Sequence, residues 1–145
     1  MARRKLPRVA KIVLPILKSA GLEGSYGSVG DRVYTWNPDV DFRTYPWIQV
    51  RRLGGTRHGG HPTKLGFPII ELTARSDQGL PEVEELYEDT LDALYEAVRR
   101  QTRTPAGYLH SIKEIMGATQ MSSEFQDSWR MQGLVKLGIR PPNYL

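Results

Sequence analysis

The sequence predicts an α+β fold, in which an antiparallel sheet of four to five strands carries an N-terminal helix and one long central helix packed on one face. Three observations predict it. The chain has 145 residues, the length of one domain, and its 39% hydrophobic and 25% charged residues are typical of a folded protein. Apolar spacing changes along the chain in the order helix, three strands, helix, two strands. No linker or repeat divides the chain, so residues 1–145 are expected to form a single domain.

The chain opens with an amphipathic helix. Its apolar residues recur at three- and four-residue spacing from Leu6 to Ala20, and Gly21 suits a C-terminal cap. Pro15 interrupts this pattern. Because proline cannot donate its amide and crowds the preceding turn, we expect the helix to kink or break near Leu14.

Three strands follow the first helix. After a turn rich in glycine and serine, residues 29–36 form the first strand, residues 47–53 the second and residues 67–75 the third. Between the last two strands, residues 54–66 hold five of the 14 glycines. We expect a long glycine-rich loop here, because the segment is longer than a hairpin needs, and such loops are usually functional or disordered.

The second half of the chain predicts one long helix and two strands. Residues 81–100 place acidic side chains in the first turn and Arg99 and Arg100 in the last turn, as the helix dipole favours. Residues 108–117 are assigned to a strand, although their apolar spacing fits neither period well. Residues 129–139 alternate apolar and polar side chains, and this last strand ends before two prolines.

Charge is distributed unevenly along the chain. The net charge is +4, but residues 1–75 hold 13 Lys/Arg against 5 Asp/Glu, whereas residues 76–145 hold 7 Lys/Arg against 11 Asp/Glu. Seven of those acids lie in the long helix, between Glu82 and Glu96. This pattern fits either an ordinary solvated surface or a molecule that meets polyanions with one part and basic partners with another.

Composition excludes several classes of chemistry. The chain has no cysteine, which excludes disulfides, thiolate zinc sites, iron–sulfur clusters and cysteine nucleophiles. The longest uncharged apolar run, residues 12–17, is far shorter than the roughly 20 residues that span a bilayer, so no membrane partner is expected. We find no nucleotide-binding, hydrolase or zinc-protease motif.

Two small polar motifs remain. His58 and His61 form the only close pair of imidazoles, but a metal site needs a third ligand, and we interpret the pair as part of a polar loop. Asp39 and Asp41 are interpreted as turn and strand-edge residues rather than as a catalytic pair. No cofactor or metal is therefore expected.

Basic residues cluster in two places. The first cluster is an N-terminal arm and the second lies near Tyr45 and Trp47. They are, in order, Arg3, Arg4, Lys5, Arg8 and Lys11, then Arg43, Arg51, Arg52 and Arg57. Such clusters favour contact with nucleic acid, but no motif for sequence-specific reading is present.

The layout of the whole chain resembles the tail terminator (tail completion) proteins of long-tailed bacteriophages, of the actinobacteriophage type. The resemblance covers the end of the first helix at residues 17–21, VGDRVY at 29–34, YPWIQV at 45–50, FPIIEL at 67–72, ELYEDTL at 85–91 and DSWRM at 127–131. It is a pattern of elements and short apolar phrases without a catalytic signature.

The resemblance implies a structural, non-enzymatic virion protein of the tail and neck, assembled in the host cytoplasm. It implies a ring, a hexamer in that family, that caps the tail tube and ends its polymerisation. The implied partners are other copies of the chain, the tail tube protein and a head-closure or connector protein, with DNA passing through the channel without sequence preference.

A ring closed by head-to-tail contacts needs two different patches per subunit. We therefore expect the acidic helix, or an edge of the sheet, to meet a basic patch of the neighbour, and the glycine-rich loop to contact a neighbour or the tube. The candidate residues of the subunit or tube interface are Arg57, His58, His61, Lys64, Glu84, Glu85, Glu88 and Asp92. The expected channel-lining residues are Arg43, Arg51 and Arg52. Three other functions stay open at this point: a head-closure or head–tail adaptor protein, a small nucleic-acid-binding domain and, third, an enzyme.

Overall fold

The computed structural model describes residues 5–36, 44–122 and 128–142, which form two helices and seven strands. In chain order these are α1 (Val9–Ser19), β1 (Glu23–Gly24), β2 (Gly27–Ser28), β3 (Val33–Tyr34), β4 (Trp47–Arg57), β5 (Gly66–Ser76), α2 (Leu80–Arg100), β6 (Tyr108–Met121) and β7 (Trp129–Arg140). The α+β class with two helices and a five-stranded sheet is as predicted.

The main sheet has the strand order β3-β4-β5-β7-β6. All neighbours are antiparallel except β3 and β4, which run parallel over a single short stretch at Ile48 and Gln49. β1 and β2 form a separate two-stranded hairpin. The first predicted strand, residues 29–36, was too long, because the amide of Arg32 donates to the carbonyl of Val29 and turns the chain before β3 begins.

The core lies between one face of the sheet and the two helices. α1 packs on β3 and β4, and α2 packs on β5, β7 and β6. The sheet contributes fully buried side chains such as Ile48, Ile70 and Val135, and α2 contributes Leu86 and Leu94. Each such side chain contributes about 1.5–3 kcal/mol through removal of apolar surface from water.

The predicted break in the first helix was wrong, since α1 is continuous through Pro15. Ile12 and Val13 before the proline, and Ile16 and Leu17 after it, are all buried in the same core. Their packing outweighs the one helical hydrogen bond that Pro15 cannot donate. Gly21 follows the C-cap residue with a φ of 67°, as its predicted role requires.

The glycine-rich segment at 54–66 is shorter as a loop than predicted, because β4 continues to Arg57 and β5 begins at Gly66. A bulge between Arg52 and Gly55 absorbs the irregular residues, and pairing resumes beyond it. Gly55 has a φ of +96°, and a Cβ there would lie 2.2 Å from the carbonyl oxygen of Phe67. Its glycine character serves a bulge inside a hairpin, which leaves residues 58–65 as the tip.

β6 also extends further than predicted, to Met121. Its pairing with β7 shifts register three times, between Leu109 and Ser111, between Glu114 and Met116, and between Met116 and Thr119. Each irregularity resets which face a side chain occupies, which explains why the apolar spacing of this segment fits neither helix nor strand.

Candidate assembly surfaces

The sheet has a second face, opposite the helices, which we call the helix-free face. Side chains at alternate positions of each strand belong to it, and the strand register identifies them across the sheet. Trp47, Arg75 and Arg130 form one row, and Arg51, Glu71 and Leu134 form another. On the edge strand β6 and its neighbour β7, Lys113 and Lys136 are direct cross-strand partners on this face.

One end of the helix-free face carries a cluster of aromatic and cationic groups that the sequence reasoning missed. Arg75 lies 4.4 Å from the ring centroid of Trp47, and its Nη1 donates to Oε1 of Gln49 over 2.9 Å. Tyr34 stands 5.8 Å from Trp47 and stacks on Trp36 at 5.4 Å, and Trp36 is 59% exposed. The signal available was the alternation that places Trp47 and Gln49 on one face of β4.

The predicted channel-lining residues do not lie on one surface of the sheet. Arg51 and Arg52 are both exposed on β4, but as neighbours in a strand they occupy opposite faces of the sheet. Arg51 is on the helix-free face, whereas Arg52 pairs with the core residue Ile70 and belongs to the helix side. Arg43 lies outside the described residues, as do Asp39 and Asp41.

The tip of the β4–β5 hairpin is an ordered turn. Nδ1 of His58 accepts the amides of Gly60 and His61, both over 3.1 Å, and the two imidazoles stack at 5.4 Å. Lys64 and Arg57 are exposed beside them. Among the described residues no group of three or more His, Asp or Glu side chains could hold a metal ion. The structure therefore brings the histidines together through backbone contacts within the turn.

Six of the seven carboxylates of the acidic helix α2 form two groups. Three acids have contacts within the chain: Glu85 accepts a hydrogen bond from Ser25, Asp89 accepts one from Tyr26 over 2.8 Å, and Glu96 pairs with Arg99 and Arg100, each at 2.5 Å. The other group is Glu84, Glu88 and Asp92, which are exposed at four-residue spacing and which we call the acidic strip. Of the predicted interface acids, Glu85 is thus engaged by the β1–β2 hairpin, and the other three form one surface.

The contacts of α2 also change its titration. Hydrogen bonds from Arg99 and Arg100 lower the pKa of Glu96 to about 2. On the side of α2 that faces β6, Tyr95 donates to Oε2 of Glu114 over 2.9 Å, and this bond raises the pKa of Tyr95. The bond links the exposed side of α2 to β6, so the acidic strip and Glu114 lie toward the same edge of the sheet.

Two open grooves flank α1. The larger, of about 610 Å³, is lined mainly by apolar groups including Leu14, Pro15 and Ala106, together with Arg8 and Lys11. The second, of about 420 Å³, lies between α1 and the end of α2 and includes Ile16 and Ala97. Within the described ranges, no helix is long and apolar enough to cross a membrane.

Comparison with known proteins gives consistent matches over nearly the whole chain. A family model described as "Phage tail termination protein" matches residues 5–145. The chain is 54% identical over 139 residues to the "Gene 22 protein" of Mycobacterium phage L5, covering 95% of this chain and 96% of the relative. It is 50% identical over 137 residues to the "Gene 22 protein" of Mycobacterium phage D29, covering 94% of this chain and 95% of that relative.

Proposed function

The chain belongs to the phage tail termination protein family, and from this we propose that it forms a ring that caps the tail tube, ends tube polymerisation and offers the surface to which the head attaches. The family membership makes it a structural protein of the bacteriophage virion, with other tail components as partners. The ring and its two attachments are the proposal.

The observation that carries the proposal is the separation of charge between two parts of the surface. The hairpin of β4 and β5 exposes Arg52, Arg57 and Lys64, whereas α2 exposes the acidic strip. A ring closed by identical head-to-tail contacts needs two unlike, complementary patches on each copy. The described surface offers one patch of each kind.

Passage of DNA through such a ring gives a role to the helix-free face. Lys113 and Lys136 lie directly opposite each other there, and Arg51 is exposed on the same face. Like charges at directly opposed strand positions repel each other. The Phe67 ring lies 5.5 Å from the Lys136 ammonium group and offsets part of this repulsion. DNA phosphates would do so, and we therefore propose Lys113, Lys136 and Arg51 as the groups that contact the genome, without sequence preference.

The test compares phage particles made with and without the protein, imaged by electron microscopy. Loss of a terminator leaves tube polymerisation unchecked, so we expect tails of abnormal and variable length on particles that lack it. Tails of normal length combined with filled heads that leak DNA would instead assign the protein to head closure. Native mass spectrometry of purified tails tests the ring itself, and a monomeric species there would contradict it.

A further inference from the structure

The main sheet has two open edges. β3 covers β4 only at Ile48 and Gln49, so among the described residues the outer side of β4 from Arg51 to Arg57 pairs with no strand. β6 closes the other side of the sheet, and its outer side has no neighbour in the described part of the chain either. Each edge presents backbone amides and carbonyls that an added strand can pair with.

One residue on each edge forms an oppositely charged pair, at the same level and on the same side of the sheet. Arg52 pairs with Ile70, Ile70 with Val135, and Val135 with Glu114, so Arg52 and Glu114 stand at opposite ends of one cross-strand row. The row belongs to the helix side, where the acidic strip also lies toward β6. An arginine at one end of the row is therefore matched by a carboxylate at the other.

Exposed apolar side chains stand beside both charges. Leu53 follows Arg52 and is 38% exposed, and Ile115 follows Glu114 and is 49% exposed. Both positions fall in bulges of their strands. Bulged edges resist pairing with arbitrary strands, so a partner that fits here has to match an irregularity as well as a charge.

Strand direction determines how two copies could meet. β4, β5, β7 and β6 alternate in direction across the sheet, so β4 and β6 are antiparallel. A second copy rotated about an axis along the strands keeps these directions and brings its β6 beside β4 of the first in antiparallel orientation. The helices of both copies then lie on the same side, as Arg52 and Glu114 require.

We propose that copies of this chain join head to tail through these edges, with β4 (Arg51–Arg57) of one copy against β6 of the next and Arg52 facing Glu114. The inference rests on the proposed ring and specifies its contact. Arg52 of one copy and Glu114 of the next meet with Leu53 and Ile115 beside them, and the sheet continues from copy to copy. The occupant of each open edge is thus a second copy of this chain.

Cross-linking tests the contact directly, because the natural chain has no cysteine. The double variant Leu53→Cys/Ile115→Cys is treated with a short bis-maleimide, either assembled or in purified tails. The two positions are on opposite edges of one copy, so a short linker joins them only between copies. We expect a ladder of covalent multimers that ends in a closed ring, whereas each single-cysteine variant gives no species beyond a dimer. A ring that persists in native mass spectra without any such ladder overturns the edge contact and leaves the proposed function standing.

Charge exchange provides the second test. Arg52→Glu or Glu114→Arg alone places like charges in the contact and should weaken association about tenfold or more, as sedimentation measures it. The double exchange Arg52→Glu/Glu114→Arg should restore it. Lys18→Glu and Glu23→Arg, which make equal charge changes at exposed positions outside both edges, are the matched controls. Equal loss in the controls, or no recovery in the double variant, contradicts the proposal, while monomers under every condition contradict the ring as well.

Discussion

At the scale of single residues, two buried tyrosines differ in what their hydroxyl groups contact. Tyr26 donates to Asp89, and burial together with this bond raises its pKa. Tyr87 is fully buried over Gly133, where a Cβ would lie 1.9 Å from its hydroxyl oxygen, and that hydroxyl has no hydrogen-bond partner among the described residues. Burial raises the pKa of Tyr87 to about 12. One tyrosine gains from its hydroxyl and the other buries it at a cost.

Substitution by phenylalanine should therefore have opposite effects at these positions. We expect Tyr26→Phe to lower the free energy of unfolding by about 1–2 kcal/mol through loss of the bond to Asp89, and Tyr87→Phe to raise it by about 1 kcal/mol. Urea unfolding at pH 7 measures both. Because the pKa of Tyr87 is raised to about 12 in the folded protein, its contribution to the free energy of unfolding is fully present below pH 10. This contribution is lost as the pH rises toward about 12. In Tyr87→Phe the free energy of unfolding should therefore decrease less between pH 10 and pH 12. Equal decreases in the free energy of unfolding of Tyr26→Phe and Tyr87→Phe at pH 7 would contradict the predicted difference.

At the scale of elements, α1 shows packing prevailing over local propensity. Pro15 leaves the carbonyl of Lys11 without its helical partner, yet the helix continues because Ile12 and Ile16 are both held in the core. Pro15 itself is half-buried and lines both grooves beside the helix. The helix therefore forms with one backbone hydrogen bond missing near its centre.

Pro15→Ala should strengthen the helix. The variant restores one backbone hydrogen bond and improves helix propensity, against a smaller loss from a more flexible unfolded chain. We expect the free energy of unfolding to rise by about 1–2 kcal/mol in urea titrations, while Ser19→Ala at the exposed end of the same helix changes it by only a few tenths. A decrease for Pro15→Ala would show that packing of the proline side chain stabilises the protein more than the missing backbone hydrogen bond destabilises it.

The elements that the sequence revealed are those with an uninterrupted period. α2 and β7 were predicted almost to the residue, because their apolar positions repeat without a break. The bulges in β4 and β6 defeat this reasoning, since each shifts the alternation by a residue. Similarly, the β1–β2 hairpin reads as a plain turn, because its glycines and serines carry no periodic signal.

At the scale of the whole molecule, the sequence indicated opposite charges but not their arrangement. It could not show that Ser25 and Tyr26 engage Glu85 and Asp89, because more than fifty residues separate the partners. It did contain the information that Arg51 and Arg52 diverge, since adjacent residues of a strand face opposite ways. Lys113 and Lys136 were missed because only the strand register brings them together.

The proposed contact between the helix-free face and DNA gives a prediction for the assembled protein. Replacing Lys113 and Lys136 by glutamine removes two candidate phosphate contacts, so the slope of log affinity against log salt for duplex DNA should become shallower by about 2. Fluorescence anisotropy over a salt series measures this slope. The control is Lys18→Gln on α1, which lies outside both basic clusters and should leave the slope unchanged. The channel assignment fails if the control reduces the slope by as much for each charge removed.

The two-residue strand β3 limits how much of β4 another strand can pair with. A strand that is laid along β4 from outside cannot extend past Val50, because β3 already pairs with β4 at Ile48 and Gln49. In the proposed contact, β3 would therefore act as a stop that limits how far two neighbouring copies can slide past one another. Identical stops on every copy would give each joint the same offset, and a closed circle of joints requires that uniformity.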